Sequence, residues 1–341
     1  MKSVTKLRCP VAIGAALLAF MPAASAQDTL KVAAAQRGAW ETAAAELGQQ
    51  AGIFKKHGIA LDLQYATDGG EIEQQVISGT VDIGLGVSAM AVMRAYARGA
   101  QVRIIGANRT GDPSYWYVLN TSRIQTIKDI AGRTIAYATN GSTSHYDALD
   151  LNKQFRLKAR LLSTGGAAAT LQELMSNHVD VGWATPPFGL DEIEQGKIRV
   201  VARANDVGDV RGKTVSVMIA SADTVQNRKD LLARFMQAYR ETVEWMYSDP
   251  AALKRYAELA GVSEKIAQRL RDEFFTKDML SPDKIAGVKS IIKDAVTFRY
   301  LQAKLSRRQT ADLIQIPPPV LDRQSGCQSA RAGCAPIVVS P

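Results

Sequence analysis

The sequence predicts an α/β protein with two similar lobes, because short apolar strands alternate with helices along most of the chain. Two distant segments are near copies: residues 77–84 read ISGTVDIG and residues 175–182 read MSNHVDVG. In each copy a helix ends, a residue type that tolerates left-handed backbone follows, and a short strand with one acidic residue begins. The chain therefore builds one βα arrangement twice. Two such lobes facing each other across a cleft form a ligand-binding architecture.

The first lobe is predicted from apolar runs separated by glycine-containing turns. Gly52 and Gly58 bound a turn before a strand, Gly70 opens a helix, and Gly79 closes it. The predicted strands are 29–35, 61–65, 81–85 and 102–107, and the predicted helices are 41–51, 70–79 and 88–98. Strands and helices of these lengths indicate parallel βαβ units.

The second lobe repeats this plan. Its predicted strands are 133–138, 159–162, 179–183 and 198–202, and its predicted helices are 142–154, 167–175 and 187–194. Two further β-type runs, 115–119 and 214–220, are natural crossing strands between the lobes. We therefore expect a discontinuous first lobe, 28–113 with 214–305, and a second lobe at 114–213.

The remainder of the chain is predicted to be helical and then disordered. A long helix is expected at 225–247, with more helix through about residue 305. Three consecutive prolines, 317–319, and a polar, glycine-containing remainder predict a disordered tail at 306–341.

The first 26 residues have the pattern of an export signal. Lys2, Lys6 and Arg8 precede an apolar run at 11–21, and small residues at 24–26 form a cleavage site. The alternative is a retained membrane anchor, but the run is shorter than the roughly 20 residues that a spanning helix needs. We expect a mature, exported protein that begins at Gln27.

Charge and cysteine content narrow the possible partners. The formal net charge is +9 and falls to +6 without the three basic residues of 1–26. No basic run is present, so nucleic-acid binding is not indicated. A positive balance suits small anions, although a generally basic secreted proteome explains it equally well.

Cys327 and Cys334 remain after cleavage and could close a local loop in an oxidising compartment, a question left open. No cofactor or metal site is indicated.

Several motifs resemble those of one family. They are QQAGIFKKHGI at 49–59, SGTVDIG at 78–84, IKDIAGRTI at 127–135 and the late helix at 231–247. In this order they resemble the solute-binding proteins of ABC importers for nitrate, aliphatic sulfonates and taurine, which also include binders of thiamine-pyrimidine precursors. The resemblance covers roughly residues 29–305. It implies a type II periplasmic binding fold, with two lobes hinged by two strands, a periplasmic location and a transient membrane permease partner.

The richest candidate binding loop is Thr139–His145, after a predicted strand of the second lobe. Ligands in such sheets bind beyond the carboxyl ends of strands, beside helix N-termini. Ser142, Thr143 and Ser144 would offer hydroxyl donors beside free backbone N–H groups, which together suit an anion. The alternative is that Ser142 or Thr143 only caps the helix.

Other candidates lie in equivalent loops. Ser88 could cap a helix and contact the ligand. Thr185 could cap the helix that Pro187 starts while pointing at the ligand. Asn108 and Tyr115 flank the first crossing and are plausible polar contacts.

The loop after the first strand offers two further candidates. Arg37 either pairs with an anion through its planar guanidinium or is a solvated loop charge. Trp40 either forms an aromatic wall or packs the helix face. The family resemblance implies that this loop faces the cleft, which favours the aromatic-wall role for Trp40.

Catalytic patterns are weak. Asp82 and Asp180 occupy equivalent places in separate lobes, so each is expected to bond local backbone at a strand start rather than to form an acid–base pair. Ser142 with His145 lacks the glycine pattern of a nucleophile elbow. We therefore predict a protein that is not an enzyme.

The leading hypothesis is a monomeric, periplasmic substrate-binding component of an ABC importer. It would capture a small anionic or polar organic solute, of the sulfonate, nitrate or taurine kind, by hinge closure. One alternative is an exported ligand-sensing module. Another is an enzyme similar to pyrimidine-precursor synthases, which carry a cysteine-rich motif that the mature sequence before Cys327 lacks.

Overall fold

The computed structural model describes residues 27–207 and 209–319. The predicted export signal at 1–26, Cys327 and Cys334, and the tail from residue 320 onward lie outside the described residues. The expectations for these segments stay predictions.

A five-stranded sheet is the centre of what we call the first lobe. Its strands are β1 (Asp28–Ala35), β2 (Ile59–Ala66), β3 (Ile83–Ser88), β4 (Val102–Thr110) and β10 (Thr214–Ser221). They lie in the order β2-β1-β3-β10-β4. β1 pairs in parallel with β2 and β3, as the βαβ pattern predicts. β10 is antiparallel to β3 and β4, so the returning chain completes this sheet.

The helices between these strands begin at one edge of the sheet. They are α1 (Trp40–Gln50), α2 (Ile53–Lys56), α3 (Gly69–Ile77) and α4 (Ala89–Ala97). α1, α3 and α4 follow the carboxyl ends of β1, β2 and β3. The Asp68 carboxylate caps α3 by accepting from the N–H groups of Gly70 and Glu71. Three helix N-termini are thereby brought to the same edge.

The second lobe is built on five shorter strands. They are β5 (Tyr115–Leu119), β6 (Thr134–Tyr137), β7 (Arg160–Ser163), β8 (Gly182–Ala184) and β9 (Ile198–Arg203). β5 lies between β8 and β9, and β6 pairs in parallel with β7. A bridge between Ile135 and Val181 joins the two groups. The helices of this lobe are α5 (Thr143–Gln154), α6 (Ala167–Met175) and α7 (Leu190–Glu194).

The chain crosses between the lobes in two neighbouring segments. The first crossing is residues 111–114, between β4 and β5. The return is residues 204–207 and 209–213, between β9 and β10. The two segments are tied together, because the Gly111 N–H donates to the Lys213 carbonyl at 2.8 Å and the Asp112 N–H donates to Asn205 Oδ1 at 2.8 Å. The two crossings therefore form a single connection between the lobes. The predicted crossing strands are wrong in position, because residues 115–119 form β5 within a sheet of the second lobe and residues 214–220 belong to β10 of the first-lobe sheet.

The near-copied sequence segments adopt the same backbone. Gly79 and Asn177 have φ angles of 76° and 60°, so both end a helix in left-handed conformation. Asp82 Oδ2 accepts from the Lys31 N–H at 2.9 Å, and Asp180 Oδ2 accepts from the Thr134 N–H at 2.8 Å. Each acid thus bonds the backbone of a neighbouring strand. The sequence prediction for the repeat is confirmed. Both acids bond backbone as predicted, but the expectation of local backbone is wrong, because the partners lie 51 and 46 residues away in the chain.

The returning chain adds a helical layer to the first lobe. It consists of α8 (Ala222–Asn227), α9 (Lys229–Ser248), α10 (Pro250–Ala260), α11 (Glu264–Arg269) and α12 (Val288–Thr297). Residues 225–247, predicted as one helix, are divided between α8 and α9 because Arg228 leaves helical geometry. Phe235 of α9 packs on Phe54 of α2 at a ring distance of 5.6 Å. This layer buries the outer face of α1 and α2.

The expectation of disorder from residue 306 is wrong for residues 306–319. The Ser306 hydroxyl caps α13 (Arg307–Leu313), whose Leu313 is fully buried. Ile314 then forms a bridge with Ile104 of β4. The sequence analysis gave weight to the prolines at 317–319 and missed the capping box just before α13. No helix within the described ranges is long and apolar enough to span a membrane.

Candidate functional site

A small cavity lies between the lobes, at the edge of the first sheet where the helices begin. Its volume is about 70 Å³. The first lobe contributes Gln36, Glu41, Asp68, Ser88 and Arg109 to the lining, the crossing region contributes Asp112 and Ser114, and the second lobe contributes Ser142, Thr143, Ser144, Trp183 and Thr185. The cavity is therefore lined from both lobes and from the crossing region.

The second-lobe wall carries hydroxyl groups at the start of α5. Ser142 Oγ caps the helix by accepting from the His145 N–H at 3.2 Å and lies 3.0 Å from Ser144 Oγ. Ser144 Oγ also accepts from the Ala138 N–H at 2.9 Å. The Thr143 hydroxyl has no hydrogen-bond partner among the described residues. Ser142 is thus the capping residue, and Thr143 is the free hydroxyl of the three.

Ser88 occupies the corresponding place in the first lobe. It precedes α4 and lines the cavity, yet its side chain makes no capping hydrogen bond. Ser216 of β10 pairs with it in register and also lines the cavity. Both hydroxyls therefore lie at the cavity without a capping role.

Thr185 lines the cavity, but its hydroxyl makes a different contact from the one predicted. Its hydroxyl lies 2.7 Å from that of Ser114, across the first crossing. It does not cap the following helix, because α7 begins at Leu190 and is preceded by Gly189. The capping part of the prediction is wrong, while the position at the cavity agrees with it.

Arg37 and Trp40 do not line this cavity. The Arg37 guanidinium is exposed and pairs with Glu46 at 2.7 Å, so the loop-charge alternative describes it. Trp40 is fully buried, donates from Nε1 to the Tyr247 hydroxyl at 3.0 Å and stands edge-on to Tyr256. The aromatic-wall prediction is wrong for Trp40, because its ring packs between α1 and the helical layer added by the returning chain.

Asn108 and Tyr115 are also directed into the protein. Asn108 is fully buried and donates from Nδ2 to the Glu41 carbonyl at 3.5 Å. The Tyr115 hydroxyl donates to the Phe188 carbonyl at 2.5 Å, within the second lobe. Neither residue lines the cavity, so their predicted ligand contacts are not supported.

The sequence analysis missed a buried ionic network at the cavity floor. Arg109 donates from Nη1 to Glu41, from Nη2 to Asp112 at 2.5 Å and from Nε to the Gly111 carbonyl at 3.2 Å. All three charged residues are buried and line the cavity. Strand alternation is the signal that could have found Arg109. Asn108 and Arg109 point to opposite faces of β4, and the side chain that lines the cavity is Arg109 rather than the predicted Asn108.

Asp147 of α5 extends this network away from the cavity. Asp147 is 1 % exposed. Neither of its carboxylate oxygens has a hydrogen-bond partner other than the neighbouring carboxyl group of Asp112. Burial, followed by the adjacent charge of Asp112, raises the pKa of Asp147 well above its usual range. Burial also raises the pKa of Glu41, and the Arg109 guanidinium opposes that rise.

His145 lies behind the hydroxyl wall rather than in it. Its ring stacks on Tyr137 at 4.4 Å, and Nδ1 accepts from the Gly141 N–H at 3.1 Å. Burial and then the nearby charge of Arg94 lower its pKa, so the neutral ring is favoured. In residues 27–207 and 209–319, no group of three or more His, Cys, Asp or Glu side chains is placed to hold a metal ion.

Comparison with known proteins identifies the family. A family model described as NMT1/THI5 like matches residues 42–253, which is more than half of the chain. The chain belongs to the NMT1/THI5-like family. Among curated proteins, no sequence matches it.

Solved structures share the fold of this NMT1/THI5-like chain. The alkanesulfonate-binding protein SsuA from Xanthomonas axonopodis pv. citri, bound to MOPS, superposes with a TM-score of 0.65 at 17 % identity, covering 84 % of this chain and 98 % of that one. The zinc-bound ligand-binding component of an ABC-type import system from Staphylococcus aureus gives 0.68 at 13 % identity, covering 85 % and 97 %.

A desulfurization enzyme, DSZB, has the same fold. It superposes with a TM-score of 0.61 at 17 % identity, covering 83 % of this chain and 96 % of that one, and a mutant of it has been solved in complex with biphenyl-2-sulfinic acid. At these identities the likeness concerns the fold, which is that of periplasmic binding proteins. The fold class predicted from the sequence is confirmed.

Proposed function

We propose that this NMT1/THI5-like chain is the periplasmic solute-binding component of an ABC importer. It captures a small anionic or polar organic solute in the cavity between the lobes and delivers it to a membrane permease. The observation that carries the proposal is the convergence of three helix N-termini, those of α3, α4 and α5, on one interlobe cavity lined with hydroxyl groups.

The α4 and α5 ends suit a negatively charged or polar acceptor group. A helix N-terminus presents free N–H groups and a partial positive charge to its ligand. Ser88 and Thr143 add hydroxyls that have no protein partner within the described part of the chain. A sulfonate, nitrate or carboxylate oxygen would satisfy these donors. The cavity volume of about 70 Å³ favours a compact solute.

The position of the cavity supports capture by closure. Its walls come from both lobes, and the two crossings form a single hinge region. A solute can enter when the lobes separate and is enclosed when they meet. The closed arrangement then offers one surface, made by both lobes, to a transient permease partner. We expect the exported protein to act as a monomer.

Binding measurements test this proposal directly. The mature chain is titrated calorimetrically with nitrate, alkanesulfonates, taurine, aromatic carboxylates and pyrimidines. For any solute that binds, Thr143→Ala and Ser88→Ala should each lower affinity about fivefold, because each removes one hydrogen bond worth about 1 kcal/mol.

The control variant is Ser248→Ala, which removes an exposed hydroxyl that bonds its own helix at Glu244. It should bind as the unchanged protein does. A folded protein that binds nothing in the panel would contradict the proposal. Unchanged affinity in both cavity variants would show that the solute lies elsewhere.

The likeness to DSZB makes an enzyme on this fold the second candidate. The described residues contain no cysteine, and the Ser142 hydroxyl contacts Ser144 and the His145 N–H rather than an imidazole nitrogen. An activated nucleophile is therefore not assembled in the cavity. Incubation with biphenyl-2-sulfinate, followed by assay for released sulfite, tests this candidate. Turnover would favour the enzyme.

A further inference from the structure

We infer that the captured solute carries a positively charged nitrogen group and that Glu41 binds this group on the first-lobe side of the cavity. This inference rests on the proposed function, since it requires that the cavity holds a solute. It assigns the chemical class of that solute and the residue that selects it.

The buried charges near the cavity do not balance. Glu41, Asp112 and Asp147 are 8 %, 0 % and 1 % exposed, and Arg109 is 3 % exposed. Three carboxyl groups thus face one guanidinium. If Asp112 and Asp147 share one proton and Glu41 is ionised beside Arg109, one negative charge still remains. Burying an uncompensated charge is unfavourable, so a cationic group in the adjacent cavity would stabilise this arrangement.

Arg109 is largely committed to protein acceptors. Each of its three guanidinium nitrogens already donates to a protein acceptor: Glu41, Asp112 or the Gly111 carbonyl. It is also the sole Lys or Arg among the described residues that line the cavity. A solute that bears only negative charge would therefore meet a guanidinium that is flanked by two carboxylates and has three of its five N–H groups already bonded.

Glu41 retains an unused acceptor. Its Oε1 receives Arg109, while its buried Oε2 has no hydrogen-bond partner. An unsatisfied buried oxygen of this kind is unfavourable. Glu41 lines the cavity, so an N–H group of a bound solute can provide the missing donor after a small adjustment of the side chain.

The two walls of the cavity differ in polarity. On the first-lobe side, Glu41 lies in the first turn of α1 and Asp68 caps α3, so carboxylates offset the positive ends of these helices. On the second-lobe side the start of α5 carries hydroxyls only. A solute with a cationic nitrogen at one end and an acceptor group at the other matches both walls in one orientation.

A pair of matched solutes tests the inference on the unchanged mature chain. Taurine carries an ammonium group, and isethionate has a hydroxyl in its place with the same sulfonate. Calorimetric titration should show taurine binding at least about tenfold more tightly, the effect of one charge-assisted hydrogen bond. The Glu41→Gln variant should reduce this preference to less than about threefold, because the amide keeps an acceptor for Arg109 and loses the charge.

The matched control is Asp147→Asn, the same kind of substitution in the same network at a residue that does not line the cavity. It should keep the preference. Isethionate binding as tightly as taurine would overturn the inference and leave the proposed function standing. If neither taurine nor isethionate binds, the wider solute panel decides. Binding only of solutes that lack a cationic nitrogen would then also overturn the inference. A folded protein that binds no panel member would overturn the proposed function itself. The solute comparison needs no variant, so it decides the point even if Glu41→Gln fails to fold.

Discussion

Asp147 illustrates how much one buried side chain depends on residues distant in sequence. It lies on α5, near the middle of the chain, and its pKa is raised by burial and by Asp112 of the first crossing. Other charges on the surrounding elements are Arg109 on β4, which lowers this pKa, and Asp150 on α5, which raises it. The protonated carboxyl is therefore the favoured form in the folded state.

Replacement of Asp147 by Asn should remove a pH dependence of stability. The folded pKa lies above the ordinary value of 3.8, so the unchanged protein holds this stabilisation below about pH 4 and loses it as pH rises through the folded pKa. Asp147→Asn cannot ionise. Near pH 7 it should be more stable by about 1 kcal/mol, which corresponds to a rise in Tm of a few degrees.

Thermal unfolding between pH 4 and pH 8 measures this difference, which should shrink toward pH 4. The exposed Asp62 provides the control, since Asp62→Asn should follow the unchanged protein at every pH. Parallel pH profiles for the unchanged protein and Asp147→Asn would contradict the prediction.

At the scale of elements, α13 shows what a short capped helix contributes to the first lobe. Its Leu313 is fully buried, its Asp312 pairs with Arg103 of β4 at 3.0 Å, and the Gln315 N–H donates to the Ile104 carbonyl at 2.8 Å. β4 is an edge strand of the five-stranded sheet. The segment after α13 therefore covers an edge that would otherwise expose backbone groups.

Truncating the buried side chain of α13 should destabilise the protein. Leu313→Ala removes a fully buried leucine and should lower the free energy of unfolding by about 2–5 kcal/mol. Leu162→Ala is the control, because Leu162 is 42 % exposed and its loss should change stability by less than about 0.5 kcal/mol. Urea unfolding of both variants provides the values. Equal stability of Leu313→Ala and the unchanged protein would mean that α13 does not dock in solution.

At the scale of the whole molecule, the lobes meet at a second place besides the cavity. Tyr146 of α5 is buried against the first lobe, where its ring stands edge-on to Phe298 at 5.7 Å. Its hydroxyl accepts from Lys213 Nζ at 3.1 Å and lies 3.4 Å from Asp294 Oδ2 of α12. This contact joins α5, which also forms the hydroxyl wall, to α12. It stabilises the arrangement in which the lobes are together.

Removing the Tyr146 hydroxyl should shift the molecule toward the open arrangement. Tyr146→Phe keeps the ring packing and loses two hydrogen bonds across the lobes. We expect about tenfold weaker solute binding, since part of the binding free energy must then restore closure. Small-angle scattering should also show a larger radius of gyration without solute.

Tyr117→Phe is the matched control, because the Tyr117 hydroxyl lies within the second lobe and has no hydrogen-bond partner among the described residues. Its affinity and scattering should equal those of the unchanged protein. If Tyr146→Phe behaves in the same way, the contact does not contribute to closure.

Local patterns in the sequence determined the order of strands and helices, the duplicated turn with Gly79 and Asn177, and the loops that carry Ser88, Ser142 and Thr143. These features depend on residues close together in the chain, such as caps, glycines and apolar alternation. Tertiary structure alone decided that Arg109 rather than Asn108 reaches the cavity, that Trp40 packs under the returning helices, and that Arg109 is neutralised by Glu41, 68 residues away. The physical reason is that the charge of a site depends on which side chains come into contact after folding. Local sequence patterns do not show contacts between residues that are far apart in the chain.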